Sequence, residues 1–319
     1  MKIRLITPYP PTARNGNSIT ALRWRRILEK LGHRVILEQH YRGGPCDLMI
    51  ALHALRSYDS ITRFRDTYPD LPLIVALTGT DLYRDIRTHT EALRSLELAS
   101  RLIVLQVQGV AELPKRFRAK TRVIYQSAPV VQGKAAARHD RFRVCVIGHL
   151  RPEKDPLRTA FAARRLPASS RVQVIHIGRA LSDEMENRAR AEMAHNPRYR
   201  WIGELPHWKA RRALAQSHLL ALTSRMEGSS NVLCEALASS VPVVASKIPG
   251  LIGTLGESYP GYFSVGNTRR LAHLLRQAES DSGFYRALKS YCARLRPLVD
   301  PKRERKAWKR LLQQIEDRR

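Results

Sequence analysis

Short apolar runs alternate with stretches of helical period along the whole chain. In the first half, "IRLIT" (3–7), "RVILE" (34–38), "DLMIALH" (47–53), "LIVALT" (73–78), "RLIVL" (101–105) and "RVIY" (122–125) have the length and β-branched content of buried strands. Helical spacing fills several of the gaps, as in Ser18 to Leu31 and Ser57 to Phe64. The turn-rich segment "SAPVVQGKAAARHD" (127–140) interrupts this rhythm. It then restarts with "FRVCVIG" (142–148), "VQVIHIG" (172–178), "YRWIG" (199–203), "HLLALT" (218–223) and "VPVVAS" (241–246). Strand–helix–strand order given twice predicts an α/β protein of two parallel-sheet domains, 1–130 and 141–300. Three helices close the chain, at 267–279, 282–295 and 304–317, with no strand after them. The last is expected to cross back, as residues 302–319, to the first domain.

In open parallel sheets ligands bind beyond the carboxyl ends of the strands, so the loops there hold the candidate chemistry. After 3–7 comes "PYPPTARNGNSIT", where Gly16 and Asn17 could present N–H groups at a helix start. It is not the GxGxxG of a dinucleotide fold. After 73–78 comes "GTDLYRD", and after 142–148 comes "HLRPEKDP", with His149, Arg151 and Lys154.

The densest signal is "SRMEGSSNVLCEALASSVPVV" (224–244), where Glu227 and Glu235 straddle a strand-to-helix turn with seven residues between them. Gly228 permits close backbone approach, and Ser229, Ser230 and Asn231 lie where the first N–H groups of a helix lack intrahelical partners. Such a start can receive a phosphate, and two flanking carboxylates can accept hydrogen bonds from hydroxyls. Phosphate and hydroxyls together suggest a nucleotide-sugar. An N-capped surface helix with a favourably placed first-turn glutamate is the simpler alternative.

Composition narrows the field. The 319 residues are 43% hydrophobic, enough for two cores, and no apolar run approaches the roughly 18 residues of a membrane span. "MKIRLIT" continues into polar sequence rather than a signal-peptide core, so a cytoplasmic protein is expected. Cys46, Cys145, Cys234 and Cys292 lie far apart, without metal or disulfide spacing. The formal charge of +28, from 56 Lys+Arg against 28 Asp+Glu, raises nucleic-acid binding as an alternative. The excess is spread out, however, and the runs "KRFRAKTR" (115–122) and "PKRERKAWKR" (301–310) come without aromatic stacking motifs. A positive site for an anionic substrate fits the same balance.

"VIGHLRPEKDP", "YRWIGEL" and above all "SRMEGSSNVLCEALASSVPVVAS" resemble the E-x7-E glycosyltransferase family of GT-B fold, over nearly the whole chain. That fold has two Rossmann-like domains facing across a cleft. The resemblance implies a metal-independent enzyme without a cofactor, with Glu227 contacting the donor sugar, Glu235 the ribose hydroxyls and Lys154 the diphosphate. Gly228, Ser229, Ser230, Asn231, His149, Gly16 and Asn17 complete the implied donor site. Two departures stand out. His149 takes the place of the family's diphosphate-binding arginine, leaving Arg151 as the replacement cation, and Thr78 stands where the family often has histidine. With "RNGNSITALRWRRILEKLGHRV" and "ALTGTDLYRD", these departures resemble the selenosugar synthases of selenoneine biosynthesis. Those enzymes are implied to join a UDP-sugar to selenophosphate, with Arg14, Asn15, Thr78, Thr80 and Asp81 on the acceptor side. An ordinary O-glycosyltransferase of the same family is the alternative, and neither a membrane nor nucleic acid is expected as a partner.

Overall fold

The computed structural model describes residues 1–10, 12–13, 15–131 and 140–317. The chain forms two compact units. The first comprises Met1–Ser127, Glu227–Asn231 and Asp300–Arg319, and the second Ala128–Met226 and Val232–Val299. Most of the segment expected to link the domains, residues 132–139, lies outside the described residues.

The first unit is built on β1 (Lys2–Ile6), β2 (Arg34–Glu38), β3 (Leu48–Leu52), β4 (Leu73–Leu77), β5 (Arg101–Val104) and β6 (Thr121–Val123), all parallel in the order β2-β1-β3-β4-β5-β6. Every residue of β3 and β4 is buried, as strands covered on both faces must be. Alternation divides their side chains between two cores. Leu48, Ile50, Leu52, Ile74 and Ala76 face one, while Met49, Ala51, Leu73, Val75 and Leu77 face the other. The first of these cores is closed by two helices, Gly16–Lys30 and Pro301–Glu316, through an edge-on pair of Trp24 and Trp308 with centroids 4.8 Å apart. In Pro301–Glu316 the buried positions Glu304, Trp308, Leu311, Leu312 and Ile315 recur at helical spacing, and Asp300 caps its start by accepting from the Lys302 N–H.

The second unit carries β7 (Phe142–Ile147), β8 (Val172–Ile177), β9 (Tyr199–Trp201), β10 (Leu219–Leu222), β11 (Val243–Ser246) and β12 (Tyr262–Phe263), parallel in the order β12-β11-β10-β7-β8-β9. Read from β9, this is the strand order of the Rossmann dinucleotide fold, and its direction reverses between β7 and β10. The two-residue strand β12 is absent from the sequence reading, since so short a segment has no period to detect. Among the described residues no helix is long and apolar enough to cross a membrane.

Candidate active site

In open parallel sheets ligands bind outside the carboxyl ends of the strands where the order reverses, here between β7 and β10, and the two loops that leave there are tied to each other. Thr223, just past β10, donates its hydroxyl to the carbonyls of Lys154 and Asp155 at 2.9 and 3.0 Å. The Arg225 N–H donates to the Glu153 carbonyl at 2.8 Å. A short 3-10 turn, Pro152–Lys154, ends at Asp155 with φ of 44°, and the Asp155 carboxylate pairs with Arg158. Asp155 therefore neutralises Arg158. The Lys154 stem passes Gly148, where an added Cβ would lie 3.7 Å from its Cδ. Gly178, after β8, has φ of 157°, and a Cβ there would fall 1.9 Å from the Gly148 carbonyl oxygen. The β7 loop thus runs directly over backbone, in space that only glycine leaves open.

His149 and His176 shape the same loop. His149 accepts the Arg179 N–H on Nδ1 at 3.1 Å, so this nitrogen serves the backbone. His176 is buried beneath it, with Nδ1 2.9 Å from the Tyr199 hydroxyl and Nε2 donating to the Gly148 carbonyl at 3.1 Å. Burial lowers its pKa to about 4, against a smaller opposing effect from the Gly148 carbonyl. A neutral imidazole holds the strand end from which Arg151 and Lys154 depart.

The two glutamates of the E-x7-E motif have different surroundings. Glu235 stands in the Asn231–Ala238 helix, buried, with Oε1 2.6 Å from His207 Nε2. His207 begins the His207–Ala215 helix and is about half exposed. One carboxylate oxygen is thereby engaged, and the other keeps its acceptor capacity. Sequence reasoning missed His207, because a histidine 28 positions from its partner leaves no local spacing to read. Glu227, half-buried, belongs with Gly228–Asn231 to the first unit. Gly228 lies against the end of β4, where a Cβ would meet the Thr78 carbonyl oxygen at 2.4 Å. Asn231 spends its side chain on the first unit too, accepting from Arg23 Nη1 at 2.8 Å and donating to the Gly16 carbonyl at 3.2 Å.

In the first unit the remaining candidates divide between scaffold and open chemistry. Asn15 caps the Gly16–Lys30 helix by accepting the Ser18 N–H at 3.0 Å, which leaves Gly16 and Asn17 in its first turn. Asp81, fully buried, accepts N–H groups from Thr78, Gly79 and Ala54 at 2.9, 2.7 and 3.1 Å. Its carboxylate fixes the turn after β4. Thr80 lies 3.0 Å from His53 Nε2, and the Thr78 hydroxyl is buried without a partner among the described residues. Arg14 lies outside the described residues. His53, unremarked in the sequence, is buried at the end of β3 with φ of 74°, a conformation uncommon for a residue with a side chain. Its Nδ1 accepts the Arg56 N–H at 3.3 Å, and its Nε2, beside Thr80, also lies 3.7 Å from the buried Asp85 carboxylate.

Much of the basic excess has a local use. In the 115–122 run, Arg118 donates to the Leu113 and Ala111 carbonyls, Lys120 to those of Ala99 and Glu97, and Arg122 to those of Ala119 and Thr121. These cations satisfy helix and strand ends. Among the described residues no cluster of three or more His, Cys, Asp or Glu is arranged to hold a metal.

The family model of the group 1 glycosyl transferases matches residues 130–295. The fold is similar to that of sucrose-phosphate synthase from Thermosynechococcus elongatus, at 17% identity over all of both chains with a TM-score of 0.82. It is also similar to that of HepE from Anabaena, solved with UDP and glucose, at 16% identity over 98% of this chain and 100% of HepE with a TM-score of 0.75. The trehalose-6-phosphate protein of E. coli, bound with UDP-2-fluoro glucose, is 9% identical over 99% of each chain with a TM-score of 0.74. Two parallel six-stranded sheets with flanking helices make the fold GT-B, and the chain belongs to the group 1 glycosyl transferases.

Proposed function

We propose that the chain transfers a sugar from a UDP-sugar to selenophosphate, forming the carbon–selenium bond of a selenosugar. The donor half of this reading is supported by HepE, a structural neighbour solved with UDP-glucose, and by the UDP-2-fluoro glucose complex named above. The diphosphate lies at the β7–β10 switch point, with Arg151 and Lys154 stabilising the charge that develops on the leaving group. The described residues give the Arg151 guanidinium no ion pair, and the nearby Asp155 carboxylate is taken by Arg158. Glu235, steadied by His207, accepts from the ribose hydroxyls with its remaining oxygen, and Glu227 contacts the sugar. The backbone N–H groups of Ser229 to Asn231 meet phosphate.

The acceptor half is supported by one observation: among the described residues, the titratable groups at the end of β4 are engaged with the protein itself. An alcohol needs a group to take its proton as it attacks. Here Thr78 stands where the resembled family often has histidine, Asp81 is occupied by three N–H groups, and His53 is held between the Arg56 N–H, Thr80 and the Asp85 carboxylate. Selenophosphate arrives already anionic. A selenium lone pair attacks the anomeric carbon, the bond from that carbon to the diphosphate oxygen breaks, and UDP departs with the electron pair. Water then attacks phosphorus, the P–Se bond breaks, and phosphate leaves the selenium on the sugar. In this reading the Thr78 and Thr80 hydroxyls donate to the phosphoryl oxygens.

Mass spectrometry of reactions containing a panel of UDP-sugars, with selenophosphate or with simple alcohols, tests this. The expected product is a sugar bearing selenium, formed only with selenophosphate. UDP release with alcohols and no selenium-containing sugar would replace the reading with that of an ordinary O-glycosyltransferase.

A further inference from the structure

Glu304 is 1% exposed, and its surroundings are unusual for a residue whose helix is already held by Trp308, Leu311, Leu312 and Ile315. Its carboxylate accepts from Arg23 Nε at 3.0 Å, Trp24 Nε1 at 2.8 Å and the Ser127 N–H at 2.9 Å, with the Ser127 hydroxyl as a fourth donor. Burying an ion pair is costly, and apolar side chains of similar volume often serve the fold as well. Stability alone therefore gives no reason for a carboxylate here. Arg23 supplies one. With its Nε edge fixed on Glu304, the planar guanidinium has a fixed direction for Nη1, which donates to Asn231 Oδ1 at 2.8 Å. The other end of that amide is held as well, because Asn231 Nδ2 faces the Gly16 carbonyl at 3.2 Å and Thr20 Oγ1 at 3.4 Å. Thr20 in turn accepts from Gln126 Nε2 at 2.7 Å.

Asn231 is the first residue of the helix that carries Glu235. An asparagine at a helix start commonly turns its side-chain oxygen onto its own helix's N–H groups. Here the oxygen is committed to Arg23, so the side chain does not compete with an anion for those N–H groups. We propose that Glu304 and Arg23 are positioning residues for the E-x7-E turn: the C-terminal helix, through one guanidinium, fixes the residue at which the donor-binding helix begins. This rests on the donor reading given above for its effect on UDP, while its effect on the turn itself is independent of any ligand.

The test is hydrogen exchange on the full-length, ligand-free protein, paired with UDP calorimetry. Arg23→Met should speed exchange of the amides across residues 229–233 at least tenfold, leave the Ser282–Leu295 helix unchanged, and raise the UDP Kd about tenfold. Arg23→Lys keeps a charge for Glu304 but cannot reach both partners, so the melting temperature should recover while exchange at 229–233 stays fast. Glu304→Gln, nearly isosteric, gives the same pattern in milder form and serves if Arg23→Met does not fold. Unchanged exchange at 229–233, or an increase equal across all helices, overturns the proposal. If the wild type binds no UDP, the donor reading falls, and the exchange pattern still decides the positioning role.

Discussion

The loop after β4 and the loop after β7 both leave the carboxyl ends of parallel strands, yet they spend their charges differently. After β4, the Asp81 carboxylate is consumed by three backbone N–H groups, and His53 is pinned between the Arg56 N–H and Thr80. After β7, the carboxylate of Asp155 is paired with Arg158, and His176 is held neutral under Gly148. The first loop spends its charged groups on fixing its own backbone and on His53. The second fixes its backbone with a buried neutral imidazole and keeps its Asp155 carboxylate on Arg158.

Adding a methyl group beside either loop tests the comparison most severely. Gly178→Ala drives a Cβ into the Gly148 carbonyl, and Gly228→Ala drives one into the Thr78 carbonyl. A displacement of about 1 Å in positioned groups costs on the order of 100-fold, so both variants should lose at least that in kcat/KM. The two should differ in kind. Gly178→Ala is expected to weaken UDP binding, and Gly228→Ala to raise the acceptor KM as well. Next in size, Lys154→Ala should lower kcat by roughly 100- to 1,000-fold, the range for removing one group that stabilises transition-state charge. Asp81→Asn should act mainly on the melting temperature, and single-turnover kinetics would separate these effects.

The buried His176 predicts a pH dependence of stability. Its pKa is about 4 in the folded protein and about 6.5 when unfolded, so the unfolded chain binds more protons between those values. The stability is fully present above pH 6.5 and is lost as pH falls towards 4, by about 3 kcal/mol at most. Denaturant melts across pH 4 to 7 should show this slope, and His176→Gln should flatten it. The smallest effect belongs to His207. His207→Ala should raise the UDP Kd roughly three- to tenfold by freeing the Glu235 carboxylate, and His207→Gln, which retains a donor, should recover part of that loss.

The strand ladder was legible in the sequence because buried parallel strands such as 48–52 and 73–77 are continuous apolar runs bounded by turns. The E-x7-E turn was legible because one glycine, two serines and an asparagine sit between strand and helix within ten residues. Partners distant in sequence left no such trace. His207 meets Glu235 across 28 positions, Arg23 meets Glu304 across 281, and His53 acquires its interest only from its backbone angle. Likewise Asn15 and Asp81 read as ligand contacts from their loops, while the structure shows the backbone N–H groups they already serve.

The division of labour between the two glutamates is the centre of this account, and calorimetry of UDP with the two single variants, alongside turnover, tests it most directly. Glu235→Ala removes a charged hydrogen-bond acceptor, worth on the order of 1.5 to 3 kcal/mol, and should weaken UDP binding about 10- to 100-fold. Glu227→Ala should leave UDP affinity within about twofold of the wild type and abolish most of the sugar transfer. Unchanged UDP affinity in Glu235→Ala, or a loss of UDP affinity in Glu227→Ala as large as that in Glu235→Ala, would contradict the account.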